Sequence, residues 1–108
     1  MALSLKIEFY PGNNNRPEFI LEPHWWNTAE LLADFPFAES VQNGYKNYNL
    51  VVSMEQLKQV HDQQSRYADP AHSRVEENIV AGQFQYVFDS PTVFRKIQLN
   101  IYEWDTGN

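Results

Sequence analysis

Residues 3–10 alternate: Leu3, Leu5, Ile7 and Phe9 on one side, Ser4, Lys6, Glu8 and Tyr10 on the other. A period of two predicts a strand with one buried face. The turn-forming run Pro11-Gly12-Asn13-Asn14-Asn15 ends it. A short strand is predicted over 18–22, through Phe19, Ile20 and Leu21, with Pro17 and Pro23 bracketing it. It can pair with the first as a hairpin closed by a long loop. At the other end of the chain, a strand beginning at Phe94 or Arg95 runs to Trp104. Ile97, Leu99 and Ile101 point to the core, and Lys96, Gln98, Asn100, Tyr102 and Trp104 point away.

Two segments between these carry helical signals. Asn27 is a good N-cap, and Glu30 stands three residues on, as a capping box prefers. Leu31, Leu32 and Phe35 supply an apolar side, and Pro36 stops the helix. Ser53 and Gln56 repeat the capping pattern at the start of a second helix. Its stripe is Met54, Leu57, Val60 and His61, and it should fray near Arg66. A third strand is predicted over 48–53, after a polar stretch containing the turn pair Asn43-Gly44. Residues 69–73 read as a loop, and 75–81 fit a short strand or a turn of helix equally. Phe84, Tyr86 and Phe88 alternate, which predicts a strand over 83–88.

The resulting order, ββαβαββ, is too irregular for a doubly wound parallel sheet. It predicts an α+β fold: a mostly antiparallel sheet of about five strands with two helices packed on one face. The 108 residues fit one domain, and 43% hydrophobic content is enough to fill its core. The absence of cysteine excludes a disulfide framework and a thiol nucleophile. The opening MALSLKIEFY lacks a basic stretch followed by a long apolar run, and no segment approaches a membrane span. A cytoplasmic protein with no membrane partner is therefore expected. The net charge of −6 would repel phosphate backbones and attract basic surfaces, so no nucleic-acid partner is expected.

Catalytic constellations are fragmentary. His61, Asp62, Asp69 and His72 are the only combination suggesting a metal, and their spacing follows no ligand pattern. There is no nucleophile elbow, and the four glycines are isolated, so no phosphate loop is formed. Glu76 and Glu77 are adjacent rather than one turn apart. The expectation is a non-enzyme without cofactor or metal. A small enzyme assembling His24 or His72 from a distance remains an alternative.

One region asks for explanation. Between Arg16 and Lys46 there is no basic residue, and the window carries Glu18, Glu22, Glu30, Asp34 and Glu39. It also holds Trp25-Trp26 at the junction between strand and helix. Adjacent side chains point in different directions, so at least one indole should reach the surface. Tryptophan beside carboxylates suits a partner rich in lysine or arginine. The expected contact residues are Glu22, Trp25, Trp26, Glu30, Asp34 and Glu39, and Glu30→Lys with Asp34→Lys should abolish binding without unfolding. The competing account is structural: a tryptophan filling the core, and Glu30 stabilising its own helix N-terminus.

Small size, acidity, a cysteine-free α+β plan and an acid–aromatic patch together resemble the immunity proteins of bacterial toxin systems. The resemblance implies stoichiometric neutralisation of a cognate, basic toxin domain by protein–protein binding, placed over 22–39. An adaptor or phage-encoded inhibitor subunit of a larger assembly is the other binding alternative.

Overall fold

The computed structural model describes residues 2–12, 15–67, 75–90 and 93–105. The loop expected over 69–73 lies outside them, as do Asp69 and His72 of the metal combination and the side chain of Glu76.

The strands are β1 (Ala2–Pro11), β2 (Phe19–Leu21), β3 (Ala38–Gln42), β4 (Tyr45–Val52) and β5 (Phe94–Trp104). The helices are α1 (Thr28–Asp34), α2 (Met54–Gln64) and α3 (Val75–Asp89), with a 3-10 turn at Ser65–Tyr67 after α2. The sheet has five strands in the order β2-β1-β5-β4-β3, every neighbour antiparallel. The expected α+β class holds, with three α-helices among the described residues rather than two.

β1 and β5 form the centre of the sheet. Their register pairs Leu5 with Ile101, Ile7 with Leu99 and Phe9 with Ile97, so the two alternating patterns bury one common face. Val52 and Leu21 extend that layer on either side, and Leu31, Leu57, Val60, Phe84 and Val87 close it from the helices. Among the described residues, no helix covers the opposite face.

Both predicted caps form. Asn27 Oδ1 accepts from the Glu30 amide at 3.0 Å. Ser53 and Gln56 make the full reciprocal box, at 3.1 and 2.8 Å. Phe35 turns extended before Pro36, as a residue ahead of proline must. Asn43 and Gly44 both adopt positive φ, +53° and +81°. That is the turn geometry matching the twist of a tight hairpin. It joins β4 to β3, a strand that no alternation announces because all five of its residues are exposed.

The predicted strand over 83–88 is a correction. These residues form the C-terminal half of α3, a helix of 15 residues. Phe84, Val87 and Phe88 recur at helical spacing and enter the core with Val80, whereas Tyr86 is turned out to solvent. The sheet has the expected five strands, with β3 standing where the sequence pattern puts a strand over 83–88.

Candidate functional site

The acid–aromatic stretch is largely engaged by the protein itself. Trp26 is a core residue, 5% exposed, stacked on Phe84 at 5.3 Å between centroids. Trp25 is half-buried against the same core. One tryptophan does reach the surface, but the pair is not a free aromatic platform.

Glu30 belongs to an internal clamp. Its carboxylate accepts hydrogen bonds from the Tyr67 hydroxyl, the Arg66 guanidinium and Gln64 Nε2. Gln64 is fully buried, and its Oε1 accepts from the Asn27 amide at 2.7 Å. The start of α1 is thereby tied to the end of α2. The Tyr67 hydroxyl, followed by Arg66 and Gln64, holds the Glu30 carboxyl below its ordinary range against the opposing effect of desolvation. Asp34 is exposed and accepts from Gln63 Nε2 at 2.7 Å. Glu39 pairs with Lys46 at 3.3 Å across the β3–β4 hairpin. Glu22 is exposed. Glu30→Lys would place a cation against Arg66 and remove the acceptor of three hydrogen bonds, so the double variant is expected to lower stability as well as to change the surface.

Glu22 borders a feature that lies outside the predicted patch. A groove runs between β2 and α3 as two connected hollows of about 250 and 340 Å³. Ile79 and Gln83 line both; Phe19, Gly82 and Tyr86 line one, and Ile20, Glu22 and His24 the other. Gly82 and Gln83 lie three and four residues after Ile79, and Tyr86 lies four and three residues after them, so the four share one side of α3. Ile79 is 55% and Tyr86 69% exposed. Besides its core-facing side, the helix thus turns two large apolar side chains, Ile79 and Tyr86, outward on one side.

Gly82 stands in the middle of this stripe. A Cβ added there would meet no atom within 4 Å, so no internal contact demands glycine. Glycine in a helix interior costs about 1 kcal/mol relative to alanine. Its local effect is to leave the groove floor bare.

Sequence reasoning missed Ile79, Gln83 and Tyr86 because a period of two placed Tyr86 beside Phe84 and Phe88. The signal that finds them is the helical spacing of Val80, Phe84 and Val87, which leaves a second set outside. Of the histidines, His24 lines the groove, while His61 sits half-buried among Trp26, Phe84 and Phe88. Among the described residues, no three acidic or histidine side chains come together as metal ligands would, and no helix is long and apolar enough to cross a membrane.

Compared with known proteins, the chain matches no family model, no curated protein and no solved structure.

Proposed function

We propose that this protein acts by binding another protein, and that the β2–α3 groove is its contact surface. The observation that carries the reading is the exposed stripe of α3. Large apolar side chains surround a glycine with no internal reason to be there, and Glu22 stands at the rim. Interfaces are built as an apolar centre within a polar border, with aromatic side chains enriched. The net charge of −6 favours a basic partner by steering its approach.

Within that class we favour an immunity protein: a one-to-one inhibitor of a bacterial toxin domain, working in the cytoplasm without cofactor. Size, acidity and a groove suited to a protruding segment of the partner support it. The contact is moved from the centre of the acidic stretch to its Glu22 end, continuing onto α3.

Co-expression with the product of the adjacent gene tests this. The expected result is relief of growth arrest and a one-to-one complex by light scattering. Tyr86→Glu should remove both while leaving the circular dichroism spectrum unchanged. A complex with a non-toxic product would favour the adaptor reading. A complex insensitive to Tyr86→Glu and Ile79→Asp would rule out the groove.

A further inference from the structure

Away from the β2 edge, the open face of the sheet carries more cations than carboxylates, although the chain as a whole is acidic. Over β1, β5, β4 and β3, the strand registers put Lys6, Glu8 and Lys96 on this face, and Arg95, which the β1–β5 register skips, reaches the Tyr10 ring beside Lys96. The β1–β5 register shifts between Tyr10 and Pro11. Such a bulge re-aims side chains. Here Arg95 and Lys96 both lie over the Tyr10 ring, 5.7 and 4.2 Å from its centroid. Glu8 accepts a hydrogen bond from Asn100. Glu18 and Glu22 flank this face only at the short β2 edge. The acids of α1 and α2 lie behind the sheet, on the order of 10 Å away. That is about one Debye length at physiological salt, so a ligand on the open face responds mainly to the local charge.

The middle of the face is a row of amides. Gln98 Nε2 donates to Asn49 Oδ1 at 3.2 Å and to Asn100 Oδ1 at 2.7 Å. Asparagine is depleted in strands, yet Asn47, Asn49 and Asn100 all sit inside β4 and β5. A hollow of about 380 Å³ opens above them, bordered by Lys6, Glu8 and Tyr102. Beyond it stands Trp104, 43% exposed, whose indole N–H donates to Ser4 Oγ at 2.6 Å.

Cations, amides and aromatic rings therefore follow one another along β5, over roughly 27 Å at the usual strand rise. Phosphates are recognised by cations, base edges by groups that donate and accept together, and unpaired base faces by aromatic rings. We propose that the open face of this sheet binds single-stranded nucleic acid, with Arg95 and Lys96 on phosphates, the Asn/Gln row on base edges, and Trp104 and Tyr102 as stacking platforms. Net acidity argues against such a partner, but net charge is a sum over both sides of the sheet, and the cations here are gathered on one part of this face. The proposal does not rest on the protein-binding reading.

Fluorescence anisotropy with a labelled oligo-uridine of about eight nucleotides tests it, alongside the DNA equivalent, a duplex of the same length and polyglutamate. The single strands should bind and the duplex should bind more weakly. Two phosphate contacts predict roughly sevenfold loss of affinity between 50 and 200 mM salt. Trp104→Ala should weaken binding about tenfold. Arg95→Glu with Lys96→Glu should abolish it, and Lys96→Glu alone should weaken it should the double variant fail to fold. Tyr86→Glu, in the groove, should leave it unchanged. No binding at 50 mM salt would overturn the proposal. So would polyglutamate binding as tightly as RNA, or affinity unmoved by both Trp104→Ala and Tyr102→Ala.

Discussion

The segment around α1 and the outer side of α3 make an instructive pair. The first concentrates carboxylates and two tryptophans, the residue types that mark contact surfaces, and the fold engages most of them. Trp26 fills the core, Glu30 clamps α1 to the end of α2, and Asp34 and Glu39 have partners of their own. The second attracts no notice as a sequence, yet Ile79 and Tyr86 stand exposed there around a bare glycine. What a side chain offers a partner is what its own fold leaves unused. Residue type is only the starting inventory.

The sharpest way to break the comparison is Trp26→Ala. If Trp26 is core, the substitution should cost about 3–5 kcal/mol, read as a large fall in the urea midpoint. A loss under about 1 kcal/mol would show the ring to be dispensable to the core and return it to the candidate surface. Tyr86→Glu should do the reverse. It should leave the urea midpoint within about 0.5 kcal/mol of the parent, as surface changes do. It should weaken partner binding by about 2 kcal/mol or more, the range of an interface hot spot, measured by calorimetry on the complex.

Glu30→Gln should have a smaller effect, and one that depends on pH. The folded protein holds the Glu30 carboxyl below its ordinary range, so the folded state binds its proton less readily than the unfolded chain. The stabilisation is complete above the ordinary carboxylate range and fades as pH falls through the lowered value. Parent and variant should therefore differ in thermal stability at neutral pH and converge in acid. A pH-independent gap would assign the effect to packing rather than charge.

Gly82→Ala carries the smallest change and separates the two regions most finely. Alanine should raise helix stability by about 0.5–1 kcal/mol, since nothing stands where its Cβ would go. The same methyl should weaken partner binding by intruding on the groove. Stabilisation without any loss of binding would show the groove floor to be idle.

Much of the fold was legible. β1 and β5 show in the period of two, and α1 and α2 in their caps, because these are local rules acting over a few residues. The β2 pairing followed from proximity, and Phe9 does lie stacked on Phe19, 4.7 Å between centroids. β3 was not legible: its residues are all exposed, and it exists because the Asn43-Gly44 turn brings it beside β4. Residues 83–88 satisfied two periodicities at once. The core decided between them by accepting Phe84 and Val87, one helical step apart, against Trp26 and Val60.

The candidate site was legible only at its Glu22 end. Sequence alone determined the strand faces, the helix caps, the turn at Asn43-Gly44 and the sum of the charges. Tertiary structure decided which of those charges were already paired, which indole was buried, and on which side of the sheet the cations stood. The reason is one of range. Periodicity and capping act within a turn or two of chain, whereas Glu30 meets Gln64, Arg66 and Tyr67 across 34, 36 and 37 residues. No local pattern encodes those meetings, and they determine what remains at the surface for a partner.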